Sequence, residues 1–93
     1  MTNYIKEDKI EELGKDFVKE LEDVLRIRAE RKLIYGDSFQ EESILNLLTI
    51  IDGKTNRFKA IQKLHNYHPK MLDEARDLVN YWLFVCCMLE NKK

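Results

Sequence analysis

The sequence predicts an all-α protein: a single helical domain over residues 1–93, built as a three-helix up-down-up antiparallel bundle and completed by oligomerisation. Three observations predict it. Glycine and proline are scarce, 3 and 1 in 93 residues, too few for the tight turns of a small β-sandwich or barrel. Apolar residues recur at three- and four-residue steps along each long stretch of the chain, the period of an amphipathic helix. Hydrophobic residues make up 44% and charged residues 35%, a balance that suits a folded globular chain and excludes a disordered or membrane-embedded one.

The first helix is expected over about 4–33, on the stripe Ile10, Leu13, Phe17, Leu21, Val24 and Leu25. Gly14 lies inside it and costs about 1 kcal/mol, which a long helix bears. Gly36, in Tyr35-Gly36-Asp37-Ser38, is the natural left-handed stop. Ser38-Phe39-Gln40-Glu41 reads as a capping box that opens the second helix. That helix runs to about residue 64 on Ile44, Leu47, Leu48, Ile51, Phe58 and Ile61. Gly53 in its middle marks a kink or a close approach by a ligand or another backbone. His65-Asn66-Tyr67-His68 is the turn, and Pro69 suits the first position of a third helix, where its missing N–H costs nothing. His65 and His68 stand three apart, a spacing open to a metal and equally to plain surface residues.

The third helix, about 69–90, is apolar on more than one side. Leu72, Ala75, Val79, Trp82 and Cys86 form one face, widened by Leu78, Val85 and Leu89. Asp73, Asp77, Asn80 and Phe84 share the opposite side. That stripe turns apolar at Phe84, so it is expected to lead into an enclosed region, a cleft or a subunit interface. The run from Tyr81 to Leu89 is too apolar all round for one neighbouring face to cover, and a homo-oligomer, with a dimer favoured, follows.

Charge narrows the function. Sixteen basic and 17 acidic residues leave a net charge of -1, against a mainly electrostatic nucleic-acid binder, so no direct nucleic-acid binding is expected. The polar opening Met1–Asp8 carries no apolar leader core. No apolar run approaches the roughly 18 residues of a membrane span, and a cytoplasmic location without membrane contact is expected. Cys86 and Cys87 are helical neighbours about 100° apart, unfit to pair with each other. They read as buried, reduced thiols.

Three segments carry the chemistry: Tyr35-Gly36-Asp37-Ser38-Phe39, Lys54-Thr55-Asn56-Arg57, and Asp73-Glu74-Ala75-Arg76-Asp77-Leu78-Val79-Asn80-Tyr81. In order and content they resemble the nucleotide modification associated domain (type 1) family of phages and bacteria, which looks like a branch of the all-α, MazG-like nucleoside triphosphate pyrophosphatases. The likeness covers about residues 20–90 and rests on Y-G-D-S, K-x-x-R and D-x-x-x-D-L-x-N-Y taken together. It implies packed antiparallel helices that associate, with Mg²⁺ (or Mn²⁺) and a nucleotide as ligands. In such enzymes carboxylates on two helices, in E-x-x-E and E-x-x-D, hold the metal that activates water and neutralises phosphate charge. Glu74-Ala75-Arg76-Asp77 matches the second signature. The first is absent; the second helix offers Glu41, Glu42 and Asp52.

On that resemblance Asp73, Asp77, Glu74 and Asp52 are the candidate metal ligands. Asp73 and Asp77, one turn apart, can share a divalent ion. Lys54 and Arg57 suit the phosphates, the guanidinium in bidentate fashion. Asn80 and Tyr81 are candidates for sugar or base. An acidic pair facing a basic pair across two helices is equally the pattern of an interhelical salt bridge, and both readings stand at this point. The expected function is a small MazG-like nucleotide-binding protein, a weak or inactive nucleoside triphosphate pyrophosphatase. The alternative is a non-catalytic helical interaction protein of a phage or mobile element.

Overall fold

The structure, a computed structural model, describes residues 6–64 and 67–91. His65 and Asn66, half of the expected turn, lie outside the described residues, as does the pairing of His65 with His68. Among the described residues every regular element is helical: α1 (Glu7–Leu13), α2 (Lys15–Tyr35), a 3-10 turn (Ser38–Glu41), α3 (Ile44–Leu64) and α4 (Pro69–Asn91). The all-α expectation holds. None of these helices is long and apolar enough to cross a membrane. The chain divides into two compact units, Met1–Gly36 and Asp37–Lys93.

In the first unit the expected long helix is broken at Gly14. The Gly14 N–H donates to the Ile10 carbonyl at 2.8 Å, closing α1, and its own carbonyl accepts from the Val18 N–H at 3.1 Å, opening α2. Gly14 has φ 97° and ψ 135°, a conformation that residues bearing a Cβ rarely adopt. The glycine therefore acts as a hinge between two helices and not as a tolerated weak point inside one. Val18 and Val24 are the buried apolar side chains of α2, while Leu13 and Phe17 of the expected stripe are exposed. Ion pairs one turn apart, Lys19 to Asp23 at 3.0 Å and Arg26 to Glu30 at 3.1 Å, line its wet surface. Gly36 ends α2 as expected, with φ 64° and its N–H bonded to the Lys32 carbonyl at 2.8 Å.

In the second unit the capping box at Ser38 gives way to a cap five residues on. Ser38–Glu41 forms only the 3-10 turn, which lies against α4. The first residue of α3 is Ile44, and the Ser43 hydroxyl accepts the Asn46 N–H at 3.0 Å. That bond satisfies an amide the helix start leaves unpaired. The helix then runs unbroken through Gly53, where, among the described residues of this unit, a Cβ would meet no atom within 4 Å beyond its own helix backbone. Pro69 opens α4 as expected, and His68 caps it, its Nδ1 accepting the Lys70 N–H at 3.1 Å.

The core of this unit lies between α3 and α4. Leu47, Ile51, Val85 and Met88 are buried, with Ile44, Leu48, Leu78, Tyr81 and Phe84 packed around them. Leu47, only 1% exposed, is its centre. These positions recur at three- and four-residue steps on both helices, which is what turns a single face of each toward the other. The face of α4 turned inward is not the one the sequence favoured. Leu72, Val79, Trp82 and Leu89 are exposed, and so are Cys86 and Cys87, against the expectation of buried thiols. The inward face is the one that carries Asp77, Asn80 and Phe84, while Asp73 of the same stripe is exposed.

Candidate functional site

Beyond the apolar core, toward the turn that joins α3 to α4, the two helices meet through charges. Lys54 Nζ lies 3.3 Å from Asp77 Oδ2 and 3.6 Å from Glu74 Oε2. Arg57 Nη1 donates to Glu74 Oε1 at 3.0 Å. Moving three residues along α3, from Lys54 to Arg57, moves the partner three residues back along α4, from Asp77 to Glu74. The helices are therefore antiparallel at the site.

Burial differs sharply within the group. The side chains of Lys54, Glu74 and Asp77 are only 18%, 13% and 16% exposed, whereas that of Arg57 is 62% exposed. Lys54 is the hub: its ammonium also stands 5.7 Å from the centre of the Tyr81 ring, close enough for a cation–π attraction. Tyr81 in turn meets Phe84 edge to face at 5.7 Å, which ties the cluster to the core. Asn80, one turn from Asp77, is buried. Glu74 Oε2 is shut off from solvent and has no hydrogen-bond partner, since Lys54 at 3.6 Å is too far to donate well. A buried acceptor without a donor is costly.

Five of the eight residues singled out in the sequence thus come together: Lys54, Arg57, Glu74, Asp77 and Tyr81. Asn80 is buried on the same helix, and the other two stay apart. Asp73 is exposed and Asp52 is exposed, and neither has an ion pair to this cluster among those described. The spacing argument paired Asp73 with Asp77, whereas it is Glu74 that shares cations with Asp77. Three residues apart on α4 rather than four, Glu74 and Asp77 face α3 together. Among the described residues no three His, Cys, Asp or Glu side chains are grouped to hold a metal. The cluster offers two carboxylates, a set that fits Mg²⁺ carried with a substrate, because that ion keeps several waters and takes its remaining ligands from phosphates.

Comparison with family models, with characterised proteins and with solved structures gives no match to this chain.

Proposed function

We propose that the protein binds a nucleotide together with Mg²⁺ (or Mn²⁺) at the Lys54–Arg57–Glu74–Asp77 cluster, on a MazG-like helical scaffold, and hydrolyses it weakly or not at all. The observation that carries this reading is the convergence of two sequence motifs, some twenty residues apart, on one half-buried cluster with an unsatisfied carboxylate oxygen at its centre. Burying a lysine and two acids in so small a unit costs desolvation that a pair of apolar side chains would avoid. In this reading Glu74 and Asp77 hold the metal, which would supply charge neutralisation for the phosphates. Lys54, on a flexible stem, would reach from the carboxylates to the phosphate oxygens. Arg57, the exposed member, meets the phosphate chain from solvent, and Tyr81 offers its ring edge beside them.

Calorimetric titration with Mg²⁺ and a panel of ribo- and deoxyribonucleoside triphosphates tests it. Asp77→Asn keeps the shape of the side chain and removes its charge, and binding is expected to weaken at least tenfold, about 1.4 kcal/mol. Failure of the parent protein to bind any nucleotide, or equal binding by the variant, refutes the reading. The second reading, a non-catalytic interaction protein, is favoured by a different feature, the exposed apolar face of α4.

A further inference from the structure

The two cations of the charged cluster hold different positions. Arg57 meets Glu74 Oε1 at 3.0 Å from a side chain 62% exposed, so it works from the rim. Lys54 is 18% exposed, and its ammonium stands 3.3 Å from Asp77 Oδ2 and 3.6 Å from Glu74 Oε2, with the Tyr81 ring 5.7 Å away. Lys54 therefore serves both carboxylates at once. Both of its distances exceed the about 2.7–2.9 Å usual for a charge-assisted N–H···O bond, and Glu74 Oε2 is left without a hydrogen-bond partner. The ammonium holds the two acids more by its charge than by its bonds. A divalent ion shared by Glu74 and Asp77 needs the same oxygens, and so meets the ammonium at close range. Like charges repel strongly in a place with little water to screen them.

We infer that Lys54 is a gate on the metal: its ammonium closes Glu74 and Asp77 to a free divalent ion. Under the nucleotide reading the ion then enters only with the phosphates that draw the ammonium off, and the chain discriminates a metal-loaded triphosphate from the bare ion. The exclusion stands on the cluster alone; the manner of entry rests on that reading. Position, not net charge, makes the gate. Removing Arg57 takes away one positive charge, as removing Lys54 does, but it leaves the ammonium between the acids. The flexible four-carbon stem of Lys54 suits a group that has to leave and return. Arg57, already in solvent, has no such part to play.

Mn²⁺ reports its own uptake, because its paramagnetic resonance signal is lost on binding. The full chain titrated with Mn²⁺ alone is expected to take up little. Lys54→Met is expected to take up one ion per chain at least tenfold more tightly than the parent, and Asp77→Asn in that background to remove the gain. Arg57→Ala is expected to behave as the parent does. Far-UV circular dichroism checks that each variant is folded, and Lys54→Gln, whose amide can donate to the same oxygens, carries the test if Lys54→Met loses its helicity. Tight uptake of the free ion by the parent overturns the inference. So does an Arg57→Ala variant that opens as far as Lys54→Met, since net charge then explains the exclusion, and so does a Lys54 variant that is folded and stays closed. A final arm adds nucleoside triphosphates to the parent with Mn²⁺. A parent that binds none of them, beside a Lys54→Met that takes up the free ion, upholds the gate and removes the nucleotide reading.

Discussion

Replacing Lys54 by methionine is the sharpest probe of the charged cluster. The substitution keeps most of the stem and removes the ammonium. It takes the nearest ammonium from Glu74 and Asp77, which are 13% and 16% exposed and stand 3.6 and 3.3 Å from the lost charge. A fully buried pair broken on one side costs about 3–5 kcal/mol, and an exposed pair about 0–1 kcal/mol. This cluster lies between the limits, nearer the buried one, and Arg57 still neutralises one oxygen of Glu74. Loss of the contact with the Tyr81 ring adds roughly 0.5 kcal/mol. The expected total is about 2–3 kcal/mol, which lowers Tm by roughly 10 °C or more in a chain of this size. Urea unfolding at neutral pH and 25 °C measures it. Millimolar Mg²⁺ is expected to return part of the loss by mass action, because the variant presents two carboxylates with no ammonium between them. A cost under about 0.5 kcal/mol shows that the cluster is solvated like any surface pair. A full cost with no response to Mg²⁺ shows that the carboxylates serve the helix pair alone.

Further expectations follow from the same contacts. Arg57→Ala, at a side chain 62% exposed, is expected to cost no more than about 1 kcal/mol in the same assay; a larger loss contradicts the exposure argument. Leu47→Ala, at the most buried side chain of the core, is expected to cost about 2–5 kcal/mol, and a loss below 1 kcal/mol means that the α3–α4 core is looser than described. Ser43→Ala removes the cap of α3 and is expected to cost about 1 kcal/mol, whereas Ser38→Ala costs a fraction of that; the reverse order restores the earlier capping position. Pyrophosphate release from nucleoside triphosphates with Mg²⁺ or Mn²⁺ is expected to stay below about 1 s⁻¹, roughly the low end for ordinary enzymes. The pyrophosphatases that the sequence resembles draw carboxylates from two helices, and among the described residues the acids of the Lys54 cluster sit on α4 alone. Faster turnover that vanishes in Asp77→Asn shows a complete catalytic site.

What could be read from the sequence was whatever a single segment decides. Gly36 and Pro69 punctuate the chain locally, so the end of α2 and the start of α4 were legible. So were the apolar positions of α3, whose other side is polar. Gly14 was misjudged because helix propensity prices a glycine that stays helical, whereas this one leaves the helix for a φ of 97°. The cap moved from Ser38 to Ser43 because two serines compete for one helix start, and the chain between them settles into a 3-10 turn against α4. The inward face of α4 was undecidable from its own residues, since Leu72, Val79 and Trp82 are as apolar as Leu78, Tyr81 and Val85. It is Lys54 and Arg57, on another helix, that draw Glu74 and Asp77 inward. The same long-range choice explains why Glu74 replaced Asp73 as the partner of Asp77, and why Asp52 is left outside.

The two ends of the α3–α4 hairpin are held by different forces, and this grades how they open. At one end Leu47, Ile51, Val85 and Met88 exclude water, so separating the helices there exposes the core and amounts to unfolding the unit. At the other, next to the connecting turn, the hold is mostly the charge cluster, and separated charges are taken up by water. Local opening therefore starts at the turn and stops at the core, fraying the hairpin like a zip from one end. Amide hydrogens of residues 58–64 and 71–75 should exchange well before those of residues 47–51 and 81–88. Glu74 and Asp77 sit at the boundary between the two zones, where a small excursion of the backbone uncovers both carboxylates while the rest of the pair stays closed.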